Sequence, residues 1–421
     1  MSNLKIAIIG AGTAGLTAAA FIKRSGHNVT LYEKFQSPKP VGAGLMLQPT
    51  GLAVLAKLGL DKKLIQKSCP IYTLDGRVAI TNKKIFDIAY KNLSPRLFGL
   101  GTYRGNLFSV LHDELIRLDV PVITSAMITD MEYDAQDKAM ITSVDGQSFG
   151  PFDLVVDAQG MNSQLRSKFA DIKLDKPYPY AAVWGICKDV DGTFSHHALI
   201  QRYVRACHMI GVMPVGKLNG DSCQSVTFFW SLRANDYAAW CQEDFKKWQD
   251  EVVALWPETK PLVEQFEKAS DLSFASYKDV ILRKWHGHRL AFIGDAAHCT
   301  SPQLGQGANM ALIDAMVLNE CLSKYDDLQK ALKAYSKRRK TQLRFYQAAS
   351  RWLTPFFQSD SYVFPWLRDL VFGIMCRTPF IKTEMLRTMA GLKTNLFMHV
   401  NPGKWHSDYD LRRKSSNADT E

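Results

Sequence analysis

The sequence lacks the features of several protein classes. It has no run of about 18 apolar residues, the length that a transmembrane helix needs, so no membrane span is expected. Its eight cysteines include no C-x-x-C pair, which argues against a zinc site or a disulfide framework and favours reduced thiols. No nucleic-acid-binding motif is visible. Because the N-terminus enters an apolar strand pattern at once, no signal peptide is expected, and a cytoplasmic protein is predicted.

The composition indicates a globular protein with a basic surface. A chain of 421 residues can form one large domain or two closely packed ones. Hydrophobic residues make up 46% and charged residues 22%, which excludes a disordered chain. The net charge of +11 points to anionic ligands or a membrane surface. Internal repeats and low-complexity linkers are absent, so the domains are expected to be interwoven.

The first 33 residues carry a dinucleotide-binding fingerprint. A strand pattern over Leu4–Ile9 precedes a helix pattern over Ala14–Ser25 and a second strand over Asn28–Glu33. The turn between the first strand and the helix reads G-x-G-x-x-G, with glycines at Gly10, Gly12 and Gly15. Such glycines shape the turn, admit a pyrophosphate and let helix and strand pack. Glu33 is expected to accept hydrogen bonds from a ribose hydroxyl, so FAD or NAD is predicted.

A second segment, Arg289–Asp314, has the pattern of another ligand-binding turn. A buried strand over Leu290–Ile293 ends at Gly294-Asp295, and a helix is predicted over Ala308–Leu322. The loop before that helix is rich in proline and glycine. It should bring bare backbone N–H groups and a helix N-terminus close to a flat, partly anionic group.

This segment resembles the second flavin signature of the class A flavoprotein monooxygenases, the p-hydroxybenzoate hydroxylase-like family, which includes ubiquinone-biosynthesis hydroxylases. The resemblance implies FAD as cofactor and a bond from Asp295 to the ribityl chain. It places Pro302 beside the reactive edge of the isoalloxazine. Gly305, Gly307 and Asn309 would face its N1–C2 end, where a helix N-terminus stabilises the reduced flavin. Pro302, Gly305 and Gly307 are therefore the predicted catalytic positions.

Two further stretches match positions of the same family. The loop 42–45, which includes Gly44, and a helix over Thr50–Leu58 would line the flavin. Arg104 opens a helix over Asn106–Leu118, where the family has an arginine that contacts the FAD phosphates or ribityl region. A cation is unfavourable at a helix start unless an anion offsets it. The alternatives are an ordinary surface loop and a surface arginine.

The stretch Asp153–Arg166 resembles the family's Asp-Gly motif but departs from it. Gln159 stands where the family has Asp, and Asp157 stands where a small residue is typical. Gln159 can form hydrogen bonds but carries no charge, so nicotinamide use is less well supported here than the FAD site. The remaining cofactor contacts that the resemblance assigns are Ala14, Lys34, Gln159, Gly160, Gly294 and Ala308.

The predicted fold class is α/β: a Rossmann-like FAD-binding domain interwoven with an antiparallel-sheet substrate domain and C-terminal helices. The predicted segments are 1–66, 101–177 and 276–346 for the FAD domain, 67–100 and 178–275 for the substrate domain, 347–411 for the helical region and 412–421 for a disordered tail. Candidate pocket residues, each with a core position as the alternative, are Trp184, Met213, Phe228 and Trp230. No metal is expected: His196-His197 reads as an exposed turn.

The C-terminal part combines basic and aromatic residues. The basic side chains of Leu328–Phe345, including Arg339, read as a solvated helix face. Trp352–Leu392 mixes aromatic residues with Arg351, Arg368 and Arg377, and prolines 355, 365 and 379 would divide it into short helices. Two interpretations stay open: a helical cap on the flavin domain, or a platform for a lipid-like substrate or a peripheral contact with an anionic membrane through 352–392.

The resemblance implies a single-component monooxygenase. NAD(P)H would reduce FAD, and O2 would then form a flavin C4a-hydroperoxide that transfers one oxygen atom to an electron-rich, hydrophobic small molecule, either aromatic or lipid-like. The alternatives are an alkene epoxidase, a halogenase or a prenyl-chain reductase on the same fold, or a non-catalytic flavin-binding protein. The Trp-x-Trp-x-Ile-Pro motif that flavin halogenases usually show is absent.

Overall fold

The computed structural model describes residues 3–37, 44–218, 223–375 and 378–400. Within these ranges the α-helices are α1 (Thr13–Arg24), α2 (Pro49–Lys57), α3 (Asp61–Gln66), α4 (Arg104–Arg117), α5 (Gln164–Phe169), α6 (Tyr237–Trp240), α7 (Phe245–Leu255), α8 (Lys260–Val263), α9 (Asp295–His298), α10 (Gly307–Lys324), α11 (Leu328–Phe357), α12 (Val363–Met375) and α13 (Pro379–Met389). The predictions for residues 42, 43 and 377 and for the tail lie outside the described residues.

The strands in the same ranges form five sheets. They are β1 (Lys5–Ile9), β2 (Asn28–Tyr32), β3 (Gly44–Leu47), β4 (Cys69–Ile71), β5 (Thr73–Val78), β6 (Lys84–Ala89), β7 (Gly99–Tyr103), β8 (Val122–Ile123), β9 (Ile128–Tyr133), β10 (Ala139–Ser143), β11 (Ser148–Phe152), β12 (Leu154–Asp157), β13 (Ile172–Pro177), β14 (Tyr180–Lys188), β15 (Ala198–Val204), β16 (His208–Gly216), β17 (Ser225–Arg233), β18 (Ser273–Ala275), β19 (Lys278–Leu282), β20 (His286–Gly287) and β21 (Leu290–Phe292). The predicted strands and helices up to α10 agree with these bounds to within a few residues, whereas α11 continues well beyond Phe345.

The largely parallel sheet has the order β20-β21-β12-β1-β2-β8. Its central strands are short apolar runs, as expected for strands covered on both faces. On one side lies α1, which is rich in alanine and packs against α10. Because β1, β2, β12 and β21 run parallel, the segments that follow them meet at one edge of the sheet. The predicted α/β fold class is confirmed.

A second, seven-stranded sheet has the order β18-β14-β17-β16-β15-β5-β6 and combines strands from two separate stretches of the chain. One face packs against α7 and α8 around Phe228 and Trp230. The opposite face carries Phe229, which joins Tyr203 and Phe372 in a cluster with α11 and α12. The sheet therefore lies between a small helical layer and the C-terminal helices.

Alternation along the strands decides which candidate pocket residues are core. Phe228 and Trp230 point into the helical layer, and Met213 packs among residues of β4 and α13, so all three are core residues and not pocket residues. Trp184 lies on the other face and is half-buried, with its ring 4.6 Å from that of Phe229. It is the candidate that stays available to a ligand.

The proline-based division of the C-terminal part was wrong at one position. Pro355 lies inside α11, which continues to Phe357. The missing N–H removes one hydrogen bond near the end of the helix, and the Gln358 N–H donates to the Thr354 carbonyl at 2.7 Å. Pro379 begins α13, where its missing N–H is not needed. No helix in the described ranges combines the length and apolar character needed to cross a membrane.

Candidate active site

The turn after β1 is shaped by its glycines. Gly10 has φ +105°, and a Cβ there would lie 2.5 Å from the Ala158 carbonyl oxygen. A Cβ on Gly15 would lie 1.9 Å from the Gly10 oxygen, so both positions exclude other residues by contact. Gly12, by contrast, faces open space. It is the N-cap of α1, and no side chain caps that helix end. The free N–H groups of the first turn are therefore open to an anion.

A cavity of about 360 Å³ adjoins this turn. Glu33 borders it and is held in place because its carboxylate accepts hydrogen bonds from the Ala11 N–H at 2.7 Å and the Phe35 N–H at 3.0 Å. Carboxylate oxygens have lone pairs to spare, so Glu33 can still accept from a ribose hydroxyl. Other predicted cofactor-binding residues that line the cavity are Gly10, Gly12, Lys34, Arg104, Gln159 and Gly160.

Arg104 supplies a positive charge between the two predicted flavin segments. It is the first residue of α4, it is exposed, and it forms no hydrogen bond or ion pair with the described residues. Burial raises the pKa of both Asp295 and Tyr277, and the charge of Arg104 opposes this shift at each side chain. A cation at a helix N-terminus is unfavourable by itself, so its position favours an anionic ligand in the cavity.

The turn after β12 is organised by Asp157. This residue is fully buried and accepts hydrogen bonds from the Ser163 hydroxyl and from the Gln159 N–H at 3.0 Å. Burial raises its pKa to about 6, against the effect of these hydrogen bonds. The side chain of Gln159 donates to the Ile128 carbonyl at 2.7 Å and accepts from the Gln164 N–H at 3.0 Å. Gln159 thus joins this turn to β9 and to the start of α5.

Arg166 connects the Asp157 turn to the second flavin segment. It is almost fully buried, with an ion pair to Asp175 at 2.9 Å. Its guanidinium donates to the Gly160 carbonyl at 3.3 Å and, more weakly, to the Asp295 carbonyl at 3.5 Å. It also donates to the Ala296 carbonyl at 3.3 Å. No function was predicted for Arg166 from the sequence. In the structure it holds two backbone turns together.

The Gly294-Asp295 turn lies directly against the N-terminal fingerprint. Gly294 has φ +59°, and a Cβ there would be 2.9 Å from the Cβ of Ala14. Two segments some 280 residues apart are thereby in contact. Asp295 is open to the groove but lies deep among protein atoms, and this desolvation raises the pKa of its carboxyl. Its carboxylate makes no hydrogen bond to the described residues, so it is available to a ligand.

A buried ionic network lies behind this turn. Asp314 is fully buried and accepts from the Gly294 N–H at 2.9 Å, the Arg339 guanidinium at 2.7 Å and the ring of His298. Burial alone would raise the pKa of Asp314, but the charges of His298 and Arg339 outweigh it and lower the pKa. The network fixes the backbone of the Gly294 turn from inside the protein.

The prediction that Arg339 belongs to a solvated helix face was wrong. Arg339 is 2% exposed. It lies on the buried stripe of α11 at helical spacing from Leu332, Tyr335 and Tyr346, so periodicity could have identified it as an inward-facing charge. The exposed basic residues of this helix are Lys330, Lys333, Lys337, Arg338, Arg344 and Arg351.

The loop from Pro302 to Gly307 lies beside Asp295 and is not part of the lining of the cavity at Gly12. Gly305 adopts φ +58°, and both Gly305 and Gly307 are exposed. A Cβ on Gly307 would lie 3.9 Å from the Asp295 carboxylate. No side chain caps the start of α10, so the N–H groups of Gly307, Ala308 and Asn309 point towards this space without an intrahelical acceptor.

Asn309 contributes to the loop in a different way from the glycines. Its side chain is fully buried, accepts from the Gln48 N–H at 2.8 Å and donates to the Gly305 carbonyl at 3.3 Å. The side chain therefore holds the loop against α2. The predicted contact between Asn309 and a flavin stays a prediction for its backbone N–H. Gly44, another predicted contact, is packed against Thr227 of the second sheet.

A group of hydroxyl and amide side chains surrounds Pro302. The Ser301 hydroxyl is 2.7 Å from that of Ser350 and 3.1 Å from that of Thr354. The buried Tyr178 hydroxyl lies beside Thr354, Gln303 and Ser301, but no described residue is placed with the geometry of a full hydrogen bond to it. Burial raises the pKa of Tyr178, an effect that its neighbours Thr354, Gln303 and Ser301 oppose. Tyr178 thus stays protonated near neutral pH.

These features fit FAD. The space at Gly12 and two uncapped helix N-termini suit a pyrophosphate and a flavin, Glu33 suits a ribose, and Asp295 suits a ribityl chain. Arg104 lies between them and offsets negative charge. The described residues contain no group of three or more His, Cys, Asp or Glu side chains that could hold a metal ion.

Comparison with known proteins agrees. The sequence profile of the FAD binding domain family matches residues 3–345, which is most of the chain. The chain belongs to this family. The predicted resemblance to the class A FAD-dependent monooxygenases is thereby confirmed, and FAD is the cofactor.

Relatives and solved structures extend the likeness beyond the cofactor domain. This chain is 26% identical to 6-hydroxynicotinate 3-monooxygenase of Pseudomonas fluorescens over 76% of its own length and 82% of that protein. It is 25% identical to aurachin C monooxygenase/isomerase of Stigmatella aurantiaca over 89% of this chain and 95% of that protein. The crystal structure of Klebsiella pneumoniae HpxO with FAD and uric acid superposes with a TM-score of 0.77 at 22% identity, over 92% and 97% of the two chains.

Proposed function

We propose that this protein is an FAD-dependent monooxygenase that uses NAD(P)H and O2 to hydroxylate an aromatic small molecule that carries polar ring substituents. The observation that carries the proposal is a set of aromatic side chains between the Pro302 loop and the second sheet. Tyr178 reaches the loop, and its N–H donates to the Tyr277 carbonyl at 2.9 Å. Tyr277 in turn contacts Trp184, the half-buried residue on the inner face of the sheet. Flat aromatic walls favour a flat ring.

Tyr178 is the residue that we expect to orient the substrate. A buried hydroxyl without a full hydrogen bond has unused hydrogen-bonding capacity, which a phenolic oxygen or a ring substituent would satisfy. Since burial raises its pKa, Tyr178 can donate a proton to a hydrogen bond at neutral pH. Relatives that act on 6-hydroxynicotinate or bind uric acid support a polar ring compound as the substrate class.

The chain's own contribution is to hold the ring and exclude water. When bound, FAD supplies the redox and oxygen chemistry that no side chain can supply. Arg104 and the N-terminus of α10 would stabilise negative charge at the cofactor. Trp184 and Phe229 form an apolar wall on the sheet side. A dry pocket strengthens these electrostatic effects.

Gln159 does not favour the alternative of a non-catalytic flavin-binding protein. Both ends of its amide are used by Ile128 and Gln164, which gives the residue a structural role at this position. An aspartate here could not donate to the Ile128 carbonyl. The departure from the family's motif is therefore explained by a contact within the fold, and nicotinamide use remains part of the proposal.

The experiment is an assay of FAD-loaded protein with NADH or NADPH and a panel of phenols and hydroxylated ring acids. We expect O2 uptake that depends on the ring compound, and one atom of ¹⁸O from ¹⁸O2 in the product. Tyr178→Phe should lower kcat/KM by about tenfold, the value of one hydrogen bond, with unchanged FAD content. Tyr133→Phe, which removes a hydroxyl that donates to the His288 carbonyl on the FAD domain, serves as the matched control. Product without ¹⁸O, or flavin that neither nicotinamide reduces, would contradict the proposal.

A further inference from the structure

Helix α12 exposes several apolar side chains to solvent and buries its basic residue. Its exposed side chains include Val363, Trp366 and Leu370, which recur at helical spacing on one face. Trp366 is 65% exposed. The only strongly basic residue of this helix, Arg368, points inward, is fully buried and pairs with Asp369 at 2.7 Å. A helix in water is expected to show the reverse arrangement.

The apolar face continues onto the end of α11. Trp352 is 72% exposed, and its ring lies 6.0 Å from that of Phe356. Phe356 in turn lies 5.2 Å from Phe364, which is partly exposed at the start of α12. Contiguous exposed aromatic and aliphatic residues on a soluble protein mark a contact surface. We name the residues Trp352, Val363, Phe364, Trp366 and Leu370 the α12 face.

A basic stripe leads along α11 to this face. Lys333, Lys337, Arg344 and Arg351 recur on one exposed side of the helix. Asp279 partly neutralises Arg351, at 3.2 Å, whereas the others make no ion pair with the described residues. The thirty residues of α11 include no Asp or Glu. A cationic stripe beside exposed tryptophan and leucine matches the chemistry of an anionic bilayer surface, with aromatic rings at the headgroup level.

We propose that the protein binds anionic membranes peripherally, with the α12 face inserted among the lipid headgroups and the α11 stripe paired with lipid phosphates. The charge of the stripe selects this occupant over a second copy of the chain, because two copies would bring two sets of lysines and arginines together. The proposal is independent of the catalytic assignment, since none of these residues borders the FAD groove. It develops one of the two sequence-based interpretations of the region 352–392.

The test is flotation of the FAD-loaded protein with vesicles of phosphatidylcholine alone or with added phosphatidylglycerol. We expect flotation only with the anionic vesicles. Trp366→Glu with Leu370→Glu should lower the bound fraction about tenfold or more. The matched control is Val144→Glu with Ile116→Glu, which makes the same change at exposed apolar residues on the FAD domain. Flavin absorbance verifies that each variant is folded.

Two further double variants test whether the basic stripe of α11 contributes to membrane binding. Lys337→Glu with Arg344→Glu should lower binding about tenfold or more, whereas Lys62→Glu with Lys63→Glu on α3 changes the net charge equally and should leave binding unaltered. If both double variants lost vesicle binding equally, net charge alone would explain the effect, and the proposal would be wrong. So would failure of the native protein to float. A dimer in sedimentation that the Trp366 and Leu370 substitutions dissociate, without vesicle binding, would assign the face to a second copy instead.

Discussion

The two segments that form the flavin groove are held in place by different physical means. The N-terminal turn is fixed by close backbone contacts, because a Cβ on Gly10 or Gly15 would overlap a carbonyl oxygen. The Gly294-Asp295 turn is fixed by buried charge, through Asp314, Arg339 and the neighbouring Arg166. The first arrangement depends mainly on shape, and its single charged contact is the Glu33 carboxylate that accepts from the Ala11 N–H. The second depends on ionisation, and it should respond to substitutions and pH in ways that the first does not.

This difference also explains why the glycines of the N-terminal turn are easier to identify from the sequence than the ionic residues that support the Gly294-Asp295 turn. A glycine that must approach a carbonyl leaves a local signature within a few residues. An ion pair between Asp314 and Arg339 joins two helices, and its meaning depends on how they pack. Buried pairs of this kind are costly to break because the remaining charge is left without a counter-ion.

The largest effect is expected from breaking the ionic support. Asp314→Ala would leave Arg339 and His298 buried without their carboxylate, so the free energy of unfolding should fall by about 3–5 kcal/mol. Urea unfolding monitored by circular dichroism measures this. The double variant Asp314→Leu with Arg339→Met removes both charges and should recover much of the loss. A loss below about 1 kcal/mol in the single variant would show that the network does not support the turn.

The two buried carboxylates should give opposite dependences on pH. The folded-state pKa of Asp157 is raised to about 6 from its ordinary value of 3.8. The folded protein therefore keeps this proton to higher pH than the unfolded chain, and stability falls as pH rises through that window. The difference corresponds to about 3 kcal/mol. The pKa of Asp314 is lowered, so its contribution is present above its ordinary pKa and is lost on acidification.

The measurement compares urea unfolding of the native protein and Asp157→Asn at about pH 4 and about pH 7. The variant should gain stability relative to the native protein as pH rises, by up to about 3 kcal/mol. Asp113→Asn, at an exposed carboxylate of α4, is the control. The same difference at both pH values would show that Asp157 does not titrate in this range.

The smallest expected effect is on the affinity for FAD. It concerns the ligand-facing carboxylates of the two segments. Glu33→Ala and Asp295→Ala should each raise the Kd for FAD by about 10- to 100-fold, because each removes a charged acceptor. Only Glu33→Ala should also destabilise the flavin-free protein, since it alone accepts from backbone N–H groups in the fold. Flavin titration and thermal unfolding separate the two. Unchanged flavin content after gel filtration of Asp295→Ala would refute its assigned contact.

The sequence was informative wherever the required signal was local. Strand and helix patterns, the glycines at 10, 12 and 15, and the Gly294-Asp295 turn all occur where they were expected. Periodicity alone could not distinguish core from pocket for Phe228 and Trp230, because that depends on which face of the sheet a second layer covers.

What the sequence did not reveal is long-range polar contact. Arg166 contacts a turn 129 residues away, and Tyr178 lies beside Ser301, although nothing near either residue in the chain indicates it. The inward position of Arg339 was accessible from the spacing of α11. It was hidden by the many truly exposed lysines and arginines on the same helix.

The contact between Ala14 and Gly294 has a consequence for biosynthesis. The groove acquires its second wall only when residues beyond 290 have left the ribosome, because β21 completes the parallel sheet and α10 then packs on α1. A nascent chain that has emerged only through its first sheet strands can bind the adenosine part of the cofactor at most. Flavin capture should therefore come late in synthesis, and it should coincide with the docking of α10 on α1.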